Sequence, residues 1–208
     1  MEELKKHNVR EEQRLKTKSK ILKTALKQFS TLGYHATSVR TIHKESEVQG
    51  NLLYHYFPGG KEELLKVISE DAINHIENQL KETKIIIESL PIEDVLEVIY
   101  QEINHIFTKY FEEIKLILIK LESVDASAKD KLIDIIKTRE MWLPEFLKQR
   151  ISKGEIKPID YRSSAHIVTS IFFHHFMVLL SGMTNAPLSN ESERKALFNH
   201  LVRLWKGQ

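Results

Sequence analysis

Gln49 and Asn51 are the residues of this chain best suited to reading another polymer. Each side chain ends in an amide with donor and acceptor side by side, the pattern that pairs bidentately with N7 and N6 of adenine in a major groove. Nearby Tyr54 and Tyr56 each end in a single hydroxyl suited to a phosphate oxygen. Thr37, Ser38 and Lys61 stand at expected helix starts, where backbone N–H groups also favour anions. Arg40 and Lys44 suit phosphate contacts or a solvated basic face, and His55 suits a DNA contact or a half-exposed place on the helix surface.

The elements that would carry these side chains follow from spacing. Ile21, Leu22, Ala25, Leu26 and Phe29 repeat at helical intervals and stop at Gly33, which predicts a first helix over about residues 12–32. Thr37 and Ser38 are N-cap candidates for a short second helix that buries Val39 and Ile42. Leu53 and Phe57, four apart, share the packing face of a third helix, leaving Asn51, Tyr54 and His55 on the opposite side. Pro58, Gly59 and Gly60 stop it, and Lys61, Glu62, Glu63, Leu64 and Leu65 open a fourth with acids in its first turn. The whole reads as a helix-turn-helix backed by a long helix.

Three stretches in this order, ILKTALKQFSTLGYHATSVRTI, LLYHYF and GGKEELL, resemble the DNA-binding domain of TetR-type transcriptional repressors over roughly residues 17–67. The resemblance rests on Gly33-Tyr34 closing the first helix, Thr37-Ser38 at the second, and Leu53-Tyr54-His55-Tyr56-Phe57 in the recognition helix. It implies that Tyr54 and Tyr56 hold the DNA backbone. The chain departs from the family across the turn, where Ser46-Glu47-Val48-Gln49-Gly50-Asn51 replaces the usual Ala-Gly-Val-Ser-x-Gly. Glu47 then takes a place that favours a left-handed residue, at about 1–2 kcal/mol of strain. Gly50 and Asn51 exchange the customary order, which alters how closely the helix start approaches the backbone, so Gly50 joins the expected DNA-contacting set.

Charge is distributed to match. Residues 1–66 hold 13 Lys+Arg against 8 Glu and no Asp, a net of +5, while the whole chain of 208 residues carries +2. The basic excess sits where phosphate would be met. Absence of Cys excludes disulfides and thiolate metal sites. The first residues, MEELKKHNVREEQRLK, lack the apolar core of a signal peptide. The apolar run 167–180 is shorter than the roughly 20 residues of a membrane span and is broken by Ser170, His174 and His175. A cytoplasmic protein with no membrane partner is the expectation.

Downstream, helix follows helix, with no convincing strand. Leu64, Leu65, Ile68, Ala72, Ile76 and Leu80 stripe the fourth helix; Pro91 starts a fifth through Val95, Ile99, Ile103 and Phe107. An apolar segment 114–121 is followed by a polar break over 123–128, then by Leu132, Ile136, Leu143, Leu147 and Ile151, with a kink or break expected at Pro144. Two last helices cover 161–181 and 191–206. The predicted fold is all-α with about nine helices: a three-helix helix-turn-helix domain over 1–66 and a C-terminal helical bundle over 67–208.

The helix after Tyr161 is apolar nearly all round, which points to pairing with a second copy. Ile167, Ile171, His175 and Leu179, with Leu197, Leu201, Leu204 and Trp205 of the last helix, are the expected interface of a homodimer. The resemblance further implies a cavity for a small, largely apolar effector, assigned to Ile99, Ile103, Phe107, Leu118, Trp142, Phe146, Phe172 and Phe176. No cofactor or metal is expected: His174 and His175 are adjacent and point about 100° apart, and no His-Glu-x-x-His occurs. Nothing singles out a nucleophile and base, so catalysis is not expected. The function expected is a regulator, more often a repressor, released from a palindromic double-stranded operator by its effector. The rivals are a helical ligand-binding or interaction protein without specific DNA binding, and a small helical enzyme.

Overall fold

The computed structural model describes residues 1–48, 50–119 and 126–207, without the side chains at 2–6, 51, 119, 126–129, 132, 135, 136 and 138–140. The described residues form nine α-helices and no strand: α1 (Glu2–Leu32), α2 (Val39–Ser46), α3 (Gly50–Tyr56), α4 (Gly60–Glu88), α5 (Ile92–Lys109), α6 (Phe111–Ile119), α7 (Ala126–Ser152), α8 (Tyr161–Leu180) and α9 (Glu191–Lys206). They divide into two compact units, one of Met1–Asn74 with Tyr110–Lys129, the other of His75–Lys109 with Asp130–Gln208.

The first unit closes around the apolar stripes read from the sequence. Ile21, Ala25 and Phe29 of α1, Ile42 of α2, Leu53 of α3 and Phe57 just past it, Leu64, Leu65 and Ile68 of α4, and Leu116 of α6 form one buried cluster. α1 begins ten residues earlier than its spacing predicted. Periodicity marks only the stretch that packs; residues 2–20 contain no Gly or Pro to stop the helix, and Lys16–Glu12 and Arg14–Glu11 pairs lie along it.

The second unit is built on α5, whose Val95, Leu96, Ile99, Tyr100 and Ile103 pack with Leu143, Phe146 and Leu147 of α7, Val168 and Phe172 of α8, and Phe198, Leu201 and Trp205 of α9. Two guanidinium groups are buried in it. Arg150 donates to the carbonyls of Ile87 and Glu88 in the last turn of α4, binds Glu155 at 2.5 Å, and lies over the Phe146 ring. The Ile87 carbonyl also accepts the Leu90 N–H at 3.1 Å, so the guanidinium adds a cation to the carbonyl end of the helix, as the macrodipole favours. Arg194 binds Glu97 through Nε and Nη2 at 3.0 and 2.8 Å, donates to the Leu188 carbonyl, and stacks on Tyr100.

Of the kink or break expected at Pro144, the break does not occur: α7 runs through it, with Leu143, Phe146 and Leu147 on either side buried, a packing that outweighs one missing backbone donor. His175, Leu201 and Trp205, expected at an interface between copies, lie in the protomer's own core. The segment after α8 returns over it, and the Leu188 N–H donates to His175 Nδ1 at 3.1 Å. Burial, with Arg194 and His174 beside it, pushes His175 below the usual imidazole range. What α8 leaves uncovered is instead Ile167, Phe173 and Met177, with Ile171 and Leu179 half-buried; on α9, Leu204 is exposed and Leu197 half-buried. α8 has 20 residues and is long and apolar enough to cross a membrane by length and composition alone, though its Ala165, Val168, Phe172 and His175 side is core.

Candidate nucleic-acid interface and ligand cavity

The turn between α2 and α3 is made by Glu47, which adopts φ 51°, ψ 30° and is the one described non-glycine residue at positive φ. Its carboxylate binds Lys20 Nζ at 2.9 Å, which holds it below the usual carboxylate range. A residue with a Cβ pays about 1–2 kcal/mol for this backbone, while glycine loses about 0.5–1 kcal/mol through its freer unfolded chain. Glu47→Gly is therefore expected to raise the urea midpoint slightly, corresponding to less than about 1 kcal/mol of unfolding free energy. A lower midpoint would mean that the Lys20 tether outweighs the strain.

Each end of this pair of helices is tied down by a specific contact. Ser38 is the N-cap of α2: its Oγ accepts from the Thr41 N–H at 3.1 Å and bonds the Thr41 hydroxyl. Thr37, expected to anchor DNA, is buried, its hydroxyl turned onto the carbonyls of Gln28 and Gly33 at 3.1 and 2.9 Å. Lys61 donates to the carbonyls of Tyr34 and Thr37 at 2.8 and 3.1 Å and covers the Tyr34 ring, so it braces the α1–α2 loop before it can serve an outside anion. At the start of α4 the Gly59 N–H donates to Glu63 at 2.7 Å, and Gly60 takes φ +61° with Val39 and Tyr54 against it. A Cβ at Gly59 would stand 3.0 Å from that of Glu63, and the left-handed backbone at Gly60 disfavours one, so two glycines fit ahead of the Lys-Glu-Glu run.

With Leu53 and Phe57 buried, α3 turns Tyr54 and His55 outward. Tyr54 is 57% exposed, Tyr56 is half-buried with its ring against His55, and Arg40 and Lys44 of α2 are exposed. Gln49 and the Asn51 side chain lie outside the described residues; Gly50 opens α3. Spacing did not reveal Lys18 of α1, whose Nζ lies 5.7 Å from the Tyr56 ring and 6.0 Å from that of Phe57. A Lys three and seven residues ahead of the buried Ile21 and Ala25 was the available signal.

In the second unit a cavity of about 220 Å³ is lined by Glu77, Leu80, Lys81, Thr83, Lys84 and Ile87 of α4, Ile99, Glu102 and Ile103 of α5, and Lys131, Asp134 and Trp142 of α7. A second, of about 350 Å³, shares Lys84 and Trp142 with it and adds Glu88, Met141, Glu145, Phe146 and Gln149. Of the residues assigned to an effector cavity, Ile99, Ile103 and Trp142 line the first and Trp142 and Phe146 the second. Phe172 lines neither: it stacks on Phe198 in the core. Phe107 and Phe176 meet each other, ring to ring at 4.9 Å, away from both linings. Leu118 is exposed on α6, within the first unit. The polar lining of α4 recurs at 77, 81 and 84, a helical face that a search for apolar residues passes over. Ligand sites usually measure about 300–1,000 Å³, so the first cavity suits a short fragment and the second reaches the lower end of that range. Among the described residues no group of three His, Cys, Asp or Glu could hold a metal ion.

A family model described as bacterial regulatory proteins, tetR family, matches residues 21–68. The HTH-type transcriptional regulator YxaF of Bacillus subtilis (strain 168) is 52% identical over 48 residues, which span 23% of this chain and only 25% of that protein. Among solved structures, the TetR family transcriptional regulator PfmR from Thermus thermophilus superposes with a TM-score of 0.66 at 21% identity, covering 88% of this chain and 97% of that one. AibR, solved in complex with isovaleryl coenzyme A and operator DNA, gives 0.59 at 19% identity, covering 89% and 96%. These last two are likenesses of fold.

Proposed function

We propose, from a chain whose residues 21–68 belong to the tetR family of bacterial regulatory proteins, that it is a transcriptional regulator that binds an operator through α3 and leaves it when a small, largely apolar effector enters the second unit. The observation that carries this is the partition of α3: Leu53 and Phe57 buried, Tyr54 and His55 outward beside the exposed Arg40 and Lys44 of α2. A helix held by its apolar side, with aromatic hydroxyl, imidazole and basic groups on the other, has the chemistry of a major-groove reader flanked by phosphate contacts. We assign Tyr54, Tyr56, Ser38 and Arg40 to phosphates and Gln49 and Asn51 to bases, with Gly50 allowing close approach and Lys61 reaching phosphate only with the donor that the carbonyls leave over.

The apolar surface left on α8 and α9, Ile167, Phe173, Met177 and Leu204, supports pairing of two copies. Two recognition helices about 34–36 Å apart would then meet successive major grooves of a palindrome. α4 supplies residues to both units, and its cavity-lining face makes it the lever by which a ligand biases the DNA-binding form. AibR's ligand makes acyl coenzyme A esters the first class of effector to try, with repression the commoner sense of control. A regulator of this kind acts in the cytoplasm and needs no catalysis.

Selection of duplexes from a random pool, followed by mobility shift across salt concentrations, tests the reading. A palindrome should be enriched, bound with a log-log salt slope of about −0.9 per neutralised phosphate. Enrichment of no sequence would end it. On the enriched site, Asn51→Ala should relax base preference by about 1–3 kcal/mol at one position in each half. Tyr54→Phe should weaken every sequence alike. Equal loss on all sequences from Asn51→Ala would remove that residue from the base-reading set.

A further inference from the structure

The part of α1 ahead of Ile21 falls outside the residues that match the family, yet its charge follows the packing phase of the helix. Ile21 and Ala25 are wholly buried; Arg14 and Lys18 precede them by seven residues, two turns, and Arg10 precedes Arg14 by four. The face that is apolar inside the unit is therefore cationic where the helix outruns it. Residues 1–20 carry seven Lys+Arg against four Glu. Lys18 is placed beside Tyr56, at the end of the recognition helix, with Arg10 free of any ion partner among the described residues and Arg14 paired only with the exposed Glu11.

We infer that this stretch of α1 is a second DNA-contacting surface, on which Arg10, Arg14 and Lys18 hold phosphates flanking the half-site that α3 reads. The inference rests on the DNA-binding reading above. Charge selects the partner: a row of cations four residues apart, continuous with a hydroxyl suited to phosphate, matches the regular anionic edge of a duplex. Reach agrees. From Arg10 to Lys18 the helix rises about 12 Å, the axial length of roughly three to four phosphates of one strand at about 3.4 Å each. These contacts carry no sequence information; they add affinity, salt dependence and a requirement for flanking DNA.

The test uses the full chain and the duplex recovered by selection, prepared once with a helical turn of flanking DNA on each side and once trimmed to the palindrome. The wild type should bind the flanked duplex about tenfold more tightly than the trimmed one. The variant Arg10→Gln, Arg14→Gln, Lys18→Gln should lose that advantage, show a salt slope shallower by about 0.9 for each contact removed, and select the same palindrome. Equal wild-type affinity for the two duplexes overturns the proposal, a result that does not depend on how the variant folds. So does a variant with unchanged slope on the flanked duplex. A wild type that selects no sequence would instead take away the DNA-binding reading itself.

Discussion

Arg194→Ala should lower the thermal midpoint of the second unit by about 6–12 °C. The guanidinium holds three parts of that unit at once: Glu97 of α5 through two bonds, the Leu188 carbonyl in the segment before α9, and the Tyr100 ring 4.1 Å away. Removing one partner of a buried ion pair costs about 3–5 kcal/mol. Glu97 keeps 27% of its side chain exposed and can rehydrate, so the low end applies, near 3 kcal/mol, at about 2–4 °C per kcal/mol for a chain of this size. Trp142 and Trp205, the two tryptophans, both lie in the second unit, so their fluorescence reports the transition. Arg194→Lys should recover little, because an ammonium cannot supply the fork and cover the ring together.

Acidification supplies an independent check on the same pair. Hydrogen bonds from Arg194 hold the Glu97 carboxyl below the usual range. A folded-state value below the unfolded one means the contribution is complete above the unfolded carboxylate value, about 4.3, and is lost as pH falls through the folded one. The gap between wild type and Arg194→Ala should therefore narrow below about pH 4. A constant gap would mean that packing on Tyr100, rather than the ion pair, carries the effect.

Leu53→Ala should abolish operator binding while leaving the second unit folded. Leu53 has no exposed surface and belongs to the buried cluster that joins α1, α2, α3 and α4. Truncating such a residue costs about 2–5 kcal/mol, a large fraction of what a unit this small can hold in reserve. Helicity followed by circular dichroism should then show an early partial loss from the first unit, with the tryptophan transition left in place. Coincident transitions shifted together would show instead that the two units unfold as one.

The contrast between these two residues marks how far residue order alone reaches. Leu53 and Phe57 could be assigned to the buried side of a short helix because four residues bring a side chain back to the same face. The same arithmetic applied to Ile21, Ala25, Leu64 and Ile68, and the fold they imply is the one observed. Ser38 at the head of α2 and the strained place of Glu47 were legible for a similar reason: capping and left-handed backbone are properties of a few neighbouring atoms. Arg194 offered no such sign. A lone arginine in a charged helix looks solvated until Glu97, almost a hundred positions earlier, is brought against it.

Local pattern thus determined the helices, their phases and the outward position of Tyr54 and His55. It also made clear that α8 has more apolar surface than one neighbour can cover. Tertiary structure decided what covers each part of that surface: His175, Leu201 and Trp205 went to the protomer's own core, while Ile167, Phe173 and Met177 stayed outside. It also turned the Thr37 hydroxyl inward and continued α7 past Pro144. The physical reason is that periodicity fixes the direction in which a side chain leaves its helix, whereas burial depends on which distant segment arrives there, and chain order does not encode that distance.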